Sequence, residues 1–246
     1  MHRHNSLTVR IFSEMLEGGR KLFSEEVIEQ DLSSTPIITL ICGYTRHGKD
    51  TFGKDSETHS EYDKWLIFGT CSSKFIRPQS IKLVSFAEEL KQKTLVFLGL
   101  NLDWKYLEPF KDTLQVADPQ NPTDMRVLRA WYIWYGAEKR KEDLDYWCKS
   151  ALPMDTIKSV AVTDFRFENE YDYTKREFDV NQAKSHHLQT IRVFRSEVPI
   201  PEASIESEHN LDKFQTDFIA VTSYQDLKIV QQMFPQYTKH NHRIVM

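Results

Sequence analysis

One segment constrains this chain more than any other. Ile37-Ile38-Thr39-Leu40-Ile41-Cys42 is apolar and rich in β-branched residues, and Gly43-Tyr44-Thr45-Arg46-His47-Gly48-Lys49-Asp50-Thr51 follows at once. A short continuous apolar run that ends on a turn reads as a parallel strand buried on both faces. The segment after it fits the pattern G-x-x-x-x-G-K, and a helix is expected to start near Gly48 or Lys49. Glycines in such a loop let several backbone N–H groups point at one phosphate chain, and the helix adds its positive N-terminal end. Lys49 reaches the β- and γ-phosphates as a mobile point charge. The expected ATP-binding set is therefore Gly43, Arg46, Gly48, Lys49, Asp50 and Thr51. The hydroxyl that usually follows the lysine is replaced by Asp50, with Thr51 one place later. Either Asp50, through water, or Thr51 then helps to hold Mg²⁺. Arg46 either contacts a phosphate or stands solvated on the loop.

Further strands are expected at Ile81–Phe86, Ser159–Thr163, Gln189–Phe194 and Phe218–Thr222, and helices over 87–98, 125–139, 145–152 and 224–234. Strands alternating with helices predict an α/β fold of the P-loop NTPase kind, with a parallel sheet of about five strands, helices on both faces and a helical lid. Residues 1–35 read as an N-terminal helical extension, weakened at Gly18-Gly19, and 36–246 as the phosphate-binding domain. That domain carries an insertion at about 55–80 and a lid or acceptor region at about 100–150.

Charge and cysteine usage exclude some partners. The formal net charge of -4 disfavours a nucleic-acid polymer but allows a small phosphorylated ligand held by a few local cations. Cys42, Cys71 and Cys148 are an odd set without a CxxC pair, so neither a disulfide framework nor a cysteine zinc site is expected. The paired histidines at 186–187 and 240/242 lack companions for a metal site. No apolar run approaches the ~18 residues that span a bilayer, so no membrane partner is expected. The expected location is the cytoplasm.

Two further groups bear on chemistry. Asp164-Phe165-Arg166 follows the third apolar strand, and ligands in parallel sheets gather at the carboxyl ends of strands. Asp164 stands where a metal-organising carboxylate is wanted, and Arg166 where an acceptor phosphate or the phosphoryl group in flight needs a cation. Arg129 and Arg140 lie on the expected aromatic helix, where lid arginines would neutralise phosphate charge and exclude water.

In this order the segments resemble the deoxynucleoside monophosphate kinases of bacteriophage and large-virus type. The likeness rests on Gly48-Lys49-Asp50-Thr51, on Ser85 to Lys91, on Arg129 through Gly136-Ala137-Glu138 to Tyr146-Trp147, and on Thr163 to Glu170. Ile191 to Arg195 and Glu208-His209-Asn210-Leu211-Asp212 also fall in the expected order, so the likeness covers roughly 37–235. It implies ATP- and Mg²⁺-dependent transfer to a deoxynucleoside 5′-monophosphate, giving the diphosphate. Lys49, Arg140, Asp164 and Arg166 would be catalytic. Ser85, Lys91, Arg129, Asp145, Trp147 and Arg166 would meet the acceptor, and Asp50, Thr51 and Asp164 the metal. The implied partners are small nucleotides, with a homodimer left open. The chain departs from the family at Ile133, where a glutamine is frequent, and at Glu88-Glu89, where Asp-Pro is common. Rival readings are another small-molecule kinase, acting on dephospho-coenzyme A or phosphomevalonate, and an ATP-binding or ATP-hydrolysing module without an acceptor.

Overall fold

The computed structural model describes residues 24–26, 36–58, 64–70, 75, 81–152, 159–180, 187–202, 206–237 and 242–244. In chain order the strands are β1 Ser24–Glu26, β2 Ile37–Cys42, β3 Leu66–Gly69, β4 Ile81–Val84, β5 Gln115–Ala117, β6 Met125–Val127, β7 Ser159–Val162, β8 His187–Phe194, β9 Phe218–Val221 and β10 His242–Ile244. The helices are α1 Lys49–Thr58, α2 Phe86–Phe97, α3 Trp104–Leu107, α4 Leu128–Glu142, α5 Tyr146–Ala151, α6 Glu168–Val180, α7 Glu206–His209 and α8 Tyr224–Met233.

A mixed α/β architecture results. The main sheet runs β1-β10-β3-β9-β8-β2-β7-β4. The stretch β4-β7-β2-β8-β9 is entirely parallel. Its members are the five strands expected from the sequence. β3 and β10 join antiparallel at the β9 edge, and β1 pairs with β10. β2 lies in the middle of the parallel stretch with β7 on one side and β8 on the other, and all six of its residues are buried. That is why its sequence carries no polar alternation. The ends of β2 and β7 consequently lie side by side, which brings the glycine loop next to Asp164 and Arg166.

Each sheet face carries its own apolar layer. On one face Ile41, Ala161, Ile191 and Phe218 pack with Phe52 of α1 and with Trp65. Asp55 is buried there and accepts a hydrogen bond from Trp65 Nε1 at 2.9 Å, tying α1 to the start of β3. On the other face Leu40, Cys42, Val160 and Val162 meet Phe86, Trp147, Cys148 and Tyr173 of α2, α5 and α6, while Ile219 and Val221 meet Leu227 and Val230 of α8. Helices thus cover both faces, but unequally. Cys42 and Cys148 are both buried and free.

Several expectations are corrected. Residues 24–26 are a strand rather than part of a leading helix; the rest of 1–35 except 24–26 lies outside the described residues. Within the expected insertion, 66–69 form an ordered sheet strand because the Leu-Ile-Phe-Gly run is apolar enough to be buried against β9. Met125–Val127 pair with Gln115–Ala117 as a hairpin, so the aromatic helix begins only at Leu128. The polar α6 was not anticipated; most of its outer face is charged, and Tyr173 anchors it. Residues 100–116 are joined to α2 and α4 by Trp131, Leu128, Leu95, Trp104 and Leu107, so the expected lid region has an apolar cluster of its own. No helix among the described residues is long and apolar enough to cross a membrane.

Candidate functional site

The loop after β2 turns sharply. Gly43 has φ +143 and Gly48 φ +93, and Arg46 is a non-glycine residue at φ +64, exposed at the loop tip. At Gly43 the need for glycine is absolute in steric terms: a Cβ there would stand 2.3 Å from the Val193 carbonyl oxygen of β8. Gly43→Ala is therefore expected to lower stability by about 2–3 kcal/mol, from backbone strain plus the displacement of β8. Thermal melting of the purified variant checks this, and an unchanged melting point would contradict it. Lys49 folds back over the loop, and its Nζ donates to the Gly43 carbonyl at 2.7 Å and the Tyr44 carbonyl at 2.8 Å. Its ammonium is buried, and burial pulls its pKa below the ordinary lysine value. Arg166 beside it adds to that, and Glu208 opposes it. Asp50 and Thr51 are exposed in the first turn of α1.

Asp164 lies just past β7, and its carboxylate does a structural task. Its Oδ1 accepts from Phe86 N at 2.9 Å, and its Oδ2 accepts from Ala87 N at 2.7 Å and Ser85 Oγ at 2.9 Å. The free N–H groups at the start of α2 are thus capped from a neighbouring strand, and a carboxylate at a helix N-terminus is also favoured by the helix dipole. Ser85 and Asp164, expected at the acceptor and the metal, are directed first at each other.

Arg166 sits between the loop and a cleft. Its guanidinium pairs with Glu208 of α7, whose other oxygen accepts from the Thr45 backbone N–H of the loop at 2.6 Å. Arg166 also lines a cleft of about 480 Å³ with Asp164, Arg140, Phe167, Glu170, Lys91, Lys111, Arg129, Trp147 and the Phe86–Leu90 turn of α2. Arg140 reaches over the Phe167 ring at 4.2 Å and stands 3.7 Å from Glu170. Trp147 is buried and donates from Nε1 to the Gly136 carbonyl at 3.2 Å, so it fixes α5 to α4 where the cleft passes. Lys91 lies over Trp104 at 4.1 Å and pairs with Glu108 at 3.0 Å.

The structure separates two arginines expected to act together. Arg129 and Arg140 share the cleft face of α4, but eleven residues of helix, about 16 Å, lie between them. Arg140 stands at the Arg166 end. Arg129 is exposed at the far end and forms a two-point ion pair with Asp112. Asp145 is not among the residues lining the cleft; it pairs with Arg176 of α6 at 2.8 Å.

Two carboxylates escaped the sequence reading as site residues. Glu170 is buried, and burial pushes its carboxyl up to about 8. Its Oε2 accepts from the backbone N–H groups of Arg166 at 2.8 Å and Phe167 at 3.2 Å, which shapes the turn that presents Arg166. Glu208 is the other. Both lie inside the segments that carry the family likeness, and that order was the signal that could have marked them.

A comparison with protein-family models finds no match for this chain, and a comparison with curated proteins finds none either. What the arrangement offers is a glycine loop with a buried lysine, joined through Arg166 to a cleft lined by further cations.

Proposed function

We propose that the chain is an ATP-dependent kinase of (deoxy)nucleoside 5′-monophosphates, built on a P-loop fold and releasing the diphosphate. The observation that carries this reading is the position of Arg166, beside Lys49 of the glycine loop and at the same time on the wall of the cationic cleft. A donor phosphate chain on the loop and an acceptor phosphate in the cleft would share that guanidinium. The central place of the loop strand, next to the strand that leads to Asp164, supports the same reading.

The acceptor's phosphate oxygen is already anionic near neutral pH, so in-line attack on the γ-phosphorus needs no strong base. The chain's task is to position two phosphates and to offset their charge. Lys49 would hold the β- and γ-phosphates, Arg166 the transferred group, and Arg140 the acceptor phosphate. Burial pushes the Glu170 carboxyl up to about 8 and so favours its neutral form, which leaves the Arg140 charge available to the ligand. Asp164 acts through the α2 N-terminus it holds. The exposed carboxylate of Asp50 and hydroxyl of Thr51, in the first turn of α1 beside Lys49, suit a hard cation and would hold Mg²⁺ directly or through water. When bound, Mg²⁺ neutralises charge on the donor phosphates.

The test is an assay with ATP across the deoxy- and ribonucleoside monophosphates, with dephospho-coenzyme A and phosphomevalonate as controls. Diphosphate formation from at least one monophosphate is expected. ATP hydrolysis that no acceptor stimulates would sink the proposal. Within it, Arg140→Ala is expected to lower kcat/KM for the acceptor by about 10- to 100-fold, as for a lost charge-assisted contact. Arg129→Ala, at the other end of α4, is expected to change it by less than about threefold. Steady-state kinetics with the acceptor varied at saturating ATP decides between them.

A further inference from the structure

Glu208 holds two groups that a phosphate would also seek. One is a backbone N–H of the glycine loop, at Thr45, and the other is the Arg166 guanidinium. Its own side chain is only 7% exposed, although Thr45 lies at the surface. Lys49 is close enough that Glu208 raises its pKa while Arg166 lowers it, which places three charges in one small region. Glu208 is there because its segment is fastened to the loop at several points. Asp212 accepts from Tyr44 Oη at 2.9 Å, and His209 pairs with Asp212 at 2.8 Å and lies against the Tyr44 ring. The buried Arg192 of β8 donates to the Leu211 carbonyl and fixes the far side of the turn.

We propose that Glu208 is a built-in surrogate for a donor phosphate: in the nucleotide-free protein its carboxylate fills the anion position between Thr45 N–H and Arg166, and ATP must displace it. The physical reason is charge balance. Without an anion there, the like charges of Lys49 and Arg166 would be left unbalanced beside each other. A carboxylate and a phosphate oxygen make the same charge-assisted bonds to an amide and a guanidinium, so one can replace the other. Displacement has a second consequence. Arg166 lines the acceptor cleft, so its release from Glu208 on ATP binding frees a cation at the point where the acceptor phosphate would arrive. The glycine loop and the cleft are then coupled through one side chain, and the anchors at Tyr44 and Arg192 stay in place while the carboxylate swings away. The proposal rests on the reading of the loop as an ATP site, and it names a residue which that reading does not require.

The test compares wild type with Glu208→Gln by equilibrium titration with ATP and, separately, with each deoxynucleoside monophosphate, together with thermal melting of the nucleotide-free proteins. The glutamine side chain keeps the shape and loses the charge. A surrogate that must be displaced reduces apparent affinity by the fraction of sites it occupies. Glu208→Gln is therefore expected to bind ATP about 10-fold more tightly while melting at a lower temperature when empty. A purely structural carboxylate would give the lower melting point without tighter binding, and unchanged or weaker ATP binding in a folded variant overturns the proposal. Tightening confined to the monophosphate overturns the assignment to the donor. If the glutamine variant does not fold, Glu208→Asp, whose shorter arm cannot span both partners, carries the same expectation. Should neither wild type nor variant bind ATP, the kinase reading itself falls and takes this proposal with it. Wild-type binding without tightening rejects the surrogate alone.

Discussion

Lys49→Ala is expected to lower phosphoryl transfer by about 10³-fold or more while leaving the protein folded. The ammonium is placed by two loop carbonyls, at 2.7 and 2.8 Å, at the start of α1. These bonds hold the charge over the turn where a phosphate chain would lie. Removing it takes away the charge that would meet the β- and γ-phosphates. The effect on stability has two opposing parts. Two carbonyls lose a donor, which costs about 1–2 kcal/mol, but the burial penalty that lowers the lysine pKa disappears with the ammonium. The net change in stability is expected to stay near 1 kcal/mol. Activity assays beside urea unfolding check both halves. Near-normal turnover in a folded Lys49→Ala protein would remove the central claim of the proposed mechanism.

The second large effect concerns stability and pH. Glu170 is held up to about 8 by burial. Between its ordinary pKa near 4.5 and 8, the folded protein keeps a proton that the unfolded chain releases. The contribution of Glu170 to stability is therefore fully present below about pH 4.5 and is lost as pH rises through 8, on the order of 5 kcal/mol in total. Glu170→Gln keeps an oxygen to accept from Arg166 N and Phe167 N but has no proton to lose. The variant is expected to be more stable than wild type at pH 8 by a few kcal/mol, and close to it at pH 5. His47 runs the other way. It is buried, and burial followed by the nearby Lys49 lowers its pKa to about 4. Its contribution is absent below about pH 4 and grows up to its ordinary value near 6.5. It offsets part of the Glu170 slope in both proteins alike, so the difference between them isolates Glu170. Urea midpoints at several pH values measure it, and parallel curves for the two proteins would show that Glu170 is charged when folded.

Legibility in the sequence followed the range of the physics involved. The parallel strands could be read because each is a short apolar run whose burial on both faces removes polar alternation, as in β2. The helix start at Lys49 and the turn before it could be read because glycine chemistry is local. The hairpin at Met125–Val127 could not, since its three residues do not show a period and only pairing with Gln115–Ala117 makes them a strand. Arg129 and Arg140 looked equivalent as letters. What separates them is that Arg140 faces Phe167 and Glu170, while Arg129 is taken by Asp112.

The sequence by itself determined the five buried strands along the chain, the glycine loop after the first of them, and the lysine that ends that loop. Only the tertiary structure decided which carboxylates do what. Glu168 and Glu170 stand two residues apart in the same helical turn, yet one is exposed and the other is buried. Asp164 reaches Ala87 across 77 residues, and Glu208 reaches Thr45 across 163. A carboxylate's charge, proton and partner depend on what surrounds it in space, and those neighbours come from strands and helices that the chain brings together only when the sheet has formed.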